Sequence, residues 1–259
     1  MTPPRTLRRA RPALGTIVEM GLHADGDERA EAALRAAWCR LAEVEGALSA
    51  FRSESDVARF NAAPAGSSVR IGGHAAAVLR FAMELHEASG GLFDVSLGTG
   101  PRAWSITGGD SAPRACKHSA SVRIDLGGVG KGYAVDRAFE ALTEGLGGDS
   151  TCWVNAGGDL RVGEVEVPIY LRDEHRGGAS PWLSLREGAV ATSHLGFGAR
   201  ARLAGLATGG PWHVSVAAPR CMWSDALTKV VALTGRADHP LLARHHAVAW
   251  IHSEGRACH

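Results

Sequence analysis

The sequence predicts an α+β fold, on three observations. Two long stretches of the first half repeat apolar residues every three or four positions, as amphipathic helices do. The second half consists mostly of short apolar segments separated by Gly, Pro and Asp, which is typical of strands. Strands and helices do not alternate strictly, so a doubly wound parallel sheet is disfavoured. With 259 residues, the chain can form one large domain or two small ones.

The first half is predicted to carry three helices and two strands. Asp27 is the expected N-cap of the first helix, and a glycine pair at 90 and 91 is expected to end the second. In chain order, the segments are a strand over 12–22, helices over 27–48 and 75–88, an irregular surface loop over 99–119, a strand over 122–126 and a helix over 133–146.

The second half is predicted to be strand-rich. Ser224 is the expected cap of its longer helix. The predicted strands cover 152–155, 160–171, 182–185, 189–192, 213–217 and 247–252, and the predicted helices cover 224–233 and 240–244.

Composition excludes several classes of protein. A formal net charge of +1 gives no overall positive field that would attract nucleic acid or anionic lipid. The five cysteines are odd in number and contain no C-x-x-C pair, which argues against a disulfide framework or a structural zinc site. No run of about 18 apolar residues is present, so no membrane span is predicted. No secretory signal is visible after the Pro- and Arg-rich start, and a cytoplasmic location is expected.

The glycine-dense segment Asp125–Asp136 is the strongest local signal. It joins a predicted strand to a predicted helix, and glycines there let backbone N–H groups approach a ligand closely. The helix N-terminus and Lys131 add positive charge, which suits an anion such as a pyrophosphate. It is neither a Walker A loop nor a G-x-G-x-x-G fingerprint, because Gly132 and Tyr133 stand at the deciding positions. The alternative is a plain turn with a surface lysine.

Three acidic residues have both a structural and a functional interpretation. Asp225 is expected in the first turn of its helix, where a carboxylate is favoured in any case, and it could also be an oxygen ligand of Mg²⁺. Asp94 is a single acidic residue in an apolar segment. Asp159 ends the tight turn that begins at Asn155, and this turn is predicted to be structural. The twelve histidines are scattered and lack metal-binding spacing.

Taken in order, these and further segments resemble the FAD:protein FMN transferase family, often called ApbE. The resemblance covers nearly the whole chain from Pro12 onward. The segments that carry it are Ala13–Thr16, Leu48–Asn61, Gly91–Asp94, Asp125–Asp136, Asn155–Asp159, Ala191–Ser193 and Ser215–Val216 followed by Asp225–Leu227.

The resemblance implies a fold, a reaction and a set of site residues. The fold is a single domain over 1–259, made of antiparallel sheets with helices packed on one side, in two lobes. Family members cleave FAD, transfer FMN to a Thr or Ser of an acceptor flavoprotein and release AMP, with Mg²⁺ required. The implied FAD contacts are Leu14, Phe51, Leu92, Phe93, Asp94, Asp125 and Lys131, and the implied metal ligands are the Gly128 carbonyl and the Asp225 carboxylate, the latter also catalytic.

The sequence departs from the family pattern in two places. The family's metal-binding Thr lies four residues after the Asp, but Lys229 stands there and the Thr is Thr228. Positions three and four residues on share a helix face with the Asp, so Thr228 is predicted to be its helical partner and a metal ligand. The alternative is that Lys229 takes the place of the metal. The family's H-I-x-D-P-x-T-G segment is reduced to Arg202–Gly209, without its His and its Asp-Pro.

The sequence therefore predicts Mg²⁺-dependent FMN transfer from FAD to a protein Ser or Thr. Two alternatives stay open, namely a non-catalytic FAD-binding protein and an FAD pyrophosphatase that releases FMN and AMP to water.

Overall fold

The structure is a computed structural model that describes residues 6–23, 28–148, 151–172, 178–195, 213–253 and 256–258. Six helices and thirteen strands are assigned within these ranges. The helices are α1 (Glu28–Leu48), α2 (Asp56–Ala62), α3 (Gly73–Ala88), α4 (Gly130–Gly145), α5 (Cys221–Thr234) and α6 (Pro240–Arg244), besides a 3-10 turn at Pro101–Ala103. The strands are β1 (Thr6–Ala13), β2 (Thr16–His23), β3 (Ser68–Arg70), β4 (Trp104–Thr107), β5 (Arg114–Lys117), β6 (Cys152–Ala156), β7 (Asp159–Val162), β8 (Val167–Arg172), β9 (Ala179–Leu185), β10 (Gly188–His194), β11 (His213–Ala218), β12 (Val248–Ser253) and β13 (Arg256–Cys258).

An eight-stranded antiparallel sheet forms the centre of the molecule, in the order β1-β2-β6-β7-β10-β11-β12-β13. Neighbouring residues of β6 show how its two faces are covered. Val154 packs with α1 and α4, whereas Trp153 packs with the separate β8–β9 hairpin. The α+β prediction, with antiparallel strands and helices on one side of the main sheet, is confirmed.

A smaller unit is built from the three-stranded sheet β3-β5-β4 and the helices α2 and α3. Ser55 caps α2 by accepting a hydrogen bond from the Ala58 N–H at 2.9 Å, which is the usual reason for a serine at this position. None of the described helices is both long and apolar enough to span a membrane.

Several predicted segment boundaries are wrong. The predicted strand over 12–22 is the hairpin β1–β2, because Leu14 and Gly15 turn the chain with φ of 53° and 71°. The predicted loop over 99–119 contains the paired strands β4 and β5. The predicted strand over 160–171 is divided into β7 and β8. The alternation of apolar residues continues across a tight turn, so it does not show where a strand reverses.

The segment 122–126 is not a strand, and the reason is a side chain. The Asn61 amide accepts a hydrogen bond from the Ile124 N–H at 2.7 Å and donates one to the Ile124 carbonyl at 2.9 Å. These two bonds replace the pairing that a neighbouring strand would supply. The segment is therefore extended and held in place without joining a sheet.

Helix α5 begins at Cys221, so Ser224 lies inside the helix and is not its cap. The buried carboxylate of Asp136 on α4 takes the capping role instead. It accepts hydrogen bonds from the N–H groups of Cys221 at 2.9 Å and Met222 at 3.0 Å. Because α4 supplies this cap, the start of α5 is fixed against α4. The proposed cap of α1, Asp27, lies outside the described residues.

Candidate functional site

The glycine-dense turn brings the start of α4 into direct contact with α5. A Cβ atom at Gly132 would lie 2.4 Å from the Cys221 carbonyl oxygen and 2.9 Å from the Asp225 Cβ, so only glycine fits there. The Gly132 N–H donates to Asp225 Oδ2 at 3.2 Å. The turn and the predicted metal-binding aspartate are thus neighbours, although they are 93 residues apart in the chain.

Lys229 is the partner of the Asp225 carboxylate. Its Nζ lies 2.6 Å from Asp225 Oδ1, and it also donates to the Asp225 carbonyl at 3.1 Å and to Ser193 Oγ at 2.9 Å. The Asp225 side chain is 2% exposed and that of Lys229 16%, so this ion pair is largely shielded from water. The Lys229 stem also contacts the turn, because a Cβ atom at Gly128 would lie 3.2 Å from its Cε.

Thr228 is not the partner of that carboxylate, and this part of the prediction is wrong. Its hydroxyl donates to the Asp225 carbonyl at 2.7 Å and is therefore the acceptor in its 2.7 Å hydrogen bond with Ser193 Oγ. The fully buried Thr228 faces β10, while Lys229 faces the carboxylate. Asp225 itself is the fifth residue of α5, beyond the first turn in which the sequence placed it.

A second lysine and aspartate pair lies beside the first. Lys131 Nζ is 2.6 Å from Asp159 Oδ2, and the Asp159 side chain is almost fully buried. Burial, followed by the nearby Asp225 carboxylate, raises the pKa of Asp159 to about 6, although Lys131 acts in the opposite direction. Burial lowers the pKa of Lys131, but Asp159 and then Asp225 raise it by more, so its pKa is raised. Lys131 is therefore a charged partner of a buried carboxylate, and the turn that contains Asp159 belongs to the site.

The β6–β7 hairpin that positions Asp159 turns at Gly157 and Gly158, with φ of 62° and 104°. This is the left-handed region that favours glycine, so the Gly-Gly pair permits a two-residue turn. A Cβ atom at Gly157 would lie 2.3 Å from Thr16 Oγ1, which places the β1–β2 turn directly against this hairpin.

Two of the implied FAD contacts lie on that β1–β2 side. The Leu14 N–H donates to Glu45 Oε1 at 3.0 Å, and Glu45 Oε2 accepts from Arg52 at 3.1 Å. Glu45 thus ties the hairpin turn to the loop that carries Phe51. The Phe51 side chain is 98% exposed, which is unusual for a phenylalanine and leaves its ring available to a ligand.

The remaining implied FAD contacts are divided between the core and the surface. Phe93 packs into the core, whereas Leu92 is partly exposed. The Asp94 carboxylate accepts hydrogen bonds from the Ser96 N–H at 2.8 Å and the Gly98 N–H at 2.9 Å. Burial raises the pKa of Asp94, but the hydrogen bond that its carboxylate accepts from the Ser96 hydroxyl at 2.5 Å, followed by the two N–H bonds, lowers it by more, so the pKa of Asp94 is lowered.

Asp125 connects this segment to the glycine-dense turn. Its N–H donates to the Val95 carbonyl at 2.8 Å, and its carboxylate accepts from the Gly127 N–H at 2.7 Å. The 94–98 segment, the glycine-dense turn and the two ion pairs are therefore linked by direct contacts. The FAD contacts themselves stay predictions.

The sequence model of the ApbE family matches residues 14–251. The chain belongs to the ApbE family. A relative from Treponema pallidum (strain Nichols) is named FAD:protein FMN transferase. It is 27% identical over an alignment of 292 positions, gaps included, that covers 89% of this chain and 79% of the relative.

Solved structures of ApbE proteins share the fold. The ApbE protein of Thermotoga maritima has a TM-score of 0.81 at 23% identity, covering 98% of this chain and 96% of its own. The flavin transferase ApbE of Vibrio cholerae has a TM-score of 0.81 at 18% identity, covering 96% of this chain and 94% of its own. The apo form of the flavinyl transferase ApbE of Pseudomonas stutzeri has a TM-score of 0.79 at 23% identity, covering 99% of this chain and 94% of its own.

The ApbE resemblance implies Mg²⁺ at Gly128, Asp225 and Thr228, but the described contacts do not fit it. Mg²⁺ takes six oxygen ligands in near-octahedral geometry. One Asp225 oxygen is paired with an ammonium and the other accepts an N–H, while the Thr228 hydroxyl is buried and hydrogen-bonded twice. Among the described residues, no group of three or more His, Cys, Asp or Glu side chains could hold a metal ion.

Sequence reasoning missed Ser193 and Asp159 as site residues and preferred the wrong neighbour of Asp225. Ser193 lies in one of the segments that carry the family resemblance, so its position was an available signal. The reduced segment Arg202–Gly209 lies outside the described residues.

Proposed function

We propose that this chain is a flavin transferase that moves FMN from FAD to a Ser or Thr hydroxyl of an acceptor flavoprotein and releases AMP. The observation that carries the proposal is the family match over residues 14–251. The name of the Treponema pallidum relative supports it. The paired lysines beside the start of α4 add a chemical reason, since positive charge at a helix N-terminus suits a pyrophosphate.

The reaction is a phosphoryl transfer. The acceptor oxygen forms a bond to the phosphorus of the FMN half, the bond from that phosphorus to the bridging oxygen breaks, and AMP leaves with the electron pair. The hydroxyl proton passes to water. In such reactions the protein contributes mainly by positioning the pyrophosphate and neutralising its charge, and these two effects provide most of the catalysis.

Lys131 is the residue suited to neutralise that charge, while Lys229 compensates the buried Asp225 carboxylate beside it. Each ammonium is held by a buried carboxylate, which fixes its position before the substrate arrives. The exposed Phe51 ring and the partly exposed Leu92 offer apolar surface to the flavin or the adenine. Because the described contacts do not fit a divalent cation at Asp225, magnesium dependence is not part of the function that we propose.

The first test follows the fate of FAD. The purified protein is incubated with FAD and a soluble cell extract, with AMP and FMN measured by chromatography and protein-bound flavin by in-gel fluorescence after denaturation. AMP release with a flavin-labelled acceptor supports transfer. AMP with free FMN only indicates an FAD pyrophosphatase, and bound but intact FAD indicates a non-catalytic FAD-binding protein. The Asp225→Asn variant should lose AMP release, whereas the exposed Asp238→Asn control should keep it.

The second test concerns ligand choice. A site that engages both halves of the dinucleotide should bind FAD more tightly than FMN or riboflavin. Titration by flavin fluorescence measures all three, and equal affinity for riboflavin would contradict the proposal. The cytoplasmic location and the single domain over 1–259 stay predictions.

A further inference from the structure

The Lys229 ammonium lies in a set of oxygen atoms of the kind that holds a metal ion. Its three N–H donors are matched by three oxygens, namely Asp225 Oδ1 at 2.6 Å, Ser193 Oγ at 2.9 Å and the Asp225 carbonyl at 3.1 Å. A carboxylate, a hydroxyl and a carbonyl are also the groups that hard cations prefer. The position beside Asp225 is thus already taken by a positive charge that is part of the chain.

We propose that Lys229 is the resident cation of this site, and that binding of FAD and release of AMP do not require a divalent metal ion. This inference rests on the proposed flavin transfer. It assigns to Lys229 the neutralisation of the buried Asp225 carboxylate, which would otherwise repel a pyrophosphate next to the glycine-dense turn.

The way in which Lys229 is held supports a fixed position. Its stem passes against the backbone of Gly128, where a Cβ atom would lie 3.2 Å from Cε. Ser193 holds the ammonium from β10, and the Ser193 hydroxyl in turn donates to Thr228. A divalent ion bound at Asp225 Oδ1 would lie close to the ammonium, and the two positive charges would repel each other at short range.

The composition of the chain provides an independent argument. Of its 28 basic residues, 25 are arginine and only three are lysine, namely Lys117, Lys131 and Lys229. Two of the three lysines lie in the candidate site, each paired with a buried aspartate. A lysine ammonium is a compact point charge, whereas an arginine guanidinium is a flat fork. The site therefore uses the basic side chain that most resembles a small spherical cation.

The first experiment measures metal binding directly and needs no turnover. Mn²⁺ is titrated into the wild-type protein, Lys229→Met, Asp225→Asn and the double variant Lys229→Met/Asp225→Asn, and free Mn²⁺ is followed by electron paramagnetic resonance. We expect no binding at the site in the wild type, binding in Lys229→Met, and none in the double variant. Wild-type binding that Asp225→Asn abolishes would overturn the inference. This wild-type measurement remains decisive even if Lys229→Met fails to fold.

The second experiment measures FAD affinity with EDTA and with excess Mg²⁺. The wild type should show the same dissociation constant in both, within about twofold. Lys229→Met should bind FAD roughly 10- to 100-fold more weakly in EDTA, because the Asp225 carboxylate is then left without a compensating charge beside the pyrophosphate. The matched control is Lys117→Met, which removes a buried lysine outside the site and should leave FAD affinity unchanged.

The outcomes separate this inference from the proposed function. Wild-type FAD binding or AMP release that is lost in EDTA and restored by Mg²⁺ would overturn the inference while supporting flavin transfer. Failure to bind FAD under any condition would overturn the proposed function, and the Mn²⁺ titration would then judge the metal-replacing role of Lys229 alone.

Discussion

Removal of Lys131 should destabilise the protein in a strongly pH-dependent way. The Asp159 carboxyl has a pKa raised from 3.8 to about 6, first because of burial and then because of Asp225. A carboxyl group whose pKa is raised by folding stabilises the folded state at low pH, and this contribution is lost as the pH rises through the folded-state pKa. Lys131 acts against that shift, so Lys131→Met should move the pKa of Asp159 further upward.

The expected size follows from that pKa. Below pH 6, Asp159 is mostly protonated in the wild type as well, so loss of the ammonium should change little. Above pH 6, the difference in stability should grow by up to about 1.4 kcal/mol per pH unit until the pKa of the variant is reached. Lys131 is 36% exposed and therefore partly screened by water, so we expect about 2 kcal/mol at pH 8.

Urea unfolding at pH 5, 6.5 and 8 measures this difference. The single variants Lys131→Met and Asp159→Asn and the double variant are compared with the wild type. In the Asp159→Asn background, where residue 159 is neutral at every pH, adding Lys131→Met should change the free energy of unfolding by the same small amount at all three pH values. A stability loss for Lys131→Met that is equal at pH 5 and pH 8 would refute the reasoning, because a buried carboxylate would then not be its cause.

Three further predictions concern the residues that position the site. Gly132→Ala should cost about 1–3 kcal/mol of stability, because its methyl group would lie 2.4 Å from a carbonyl oxygen of α5. At Gly130 the nearest atom would be 3.5 Å away, so Gly130→Ala should be tolerated. Equal losses of stability for the two variants in urea unfolding would contradict this. Asp136→Ala should cost about 3–5 kcal/mol, because it leaves two N–H groups of α5 and a paired arginine without their acceptor, while Asp238→Ala on the surface should not change the unfolding midpoint. Phe51→Ala should leave unfolding unchanged and weaken FAD binding about tenfold or more, as judged by fluorescence titration, because an exposed ring can gain burial only from a ligand.

The parts of the fold that depend on local pattern were predictable. The helices α1 and α3 follow from apolar residues at helical spacing, and their observed ends lie within two residues of the predicted ones. The glycine-dense turn and its following helix were also predictable, because the glycines lie between a short apolar segment and a stretch of helical spacing. The predicted helix began at residue 133, whereas α4 begins three residues earlier, inside the turn itself.

The parts that depend on distant contacts were not predictable from one sequence. Asp136 caps a helix whose first residue lies 85 positions away, and Lys131 pairs with a carboxylate 28 positions away. The Asn61 amide takes the place of a neighbouring strand for Ile124. No periodicity or turn signal encodes such pairs, because each partner is chosen by the packing of whole elements.

The choice between Thr228 and Lys229 shows where local reasoning ends. Both residues share a helix face with Asp225, at positions three and four further on, so helix geometry alone allows either as its partner. Packing against β10 decides between them. Thr228 is fully buried and bonds to Ser193, which leaves Lys229 to turn towards the carboxylate.

The charges of the two ion pairs explain why composition did not reveal the site. Two ammonium groups face two buried carboxylates, so the cluster contributes nothing to a net charge of +1. A cluster of carboxylates alone would repel a pyrophosphate and would need an external cation to accept one. In this chain the compensating charges are covalently attached, at a fixed distance from the backbone N–H groups of the glycine-dense turn. Because the Asp159 and Asp225 side chains are each about 2% exposed, water alone would screen their negative charges poorly, and the paired ammonium groups cancel the repulsion that a bound phosphate would otherwise meet.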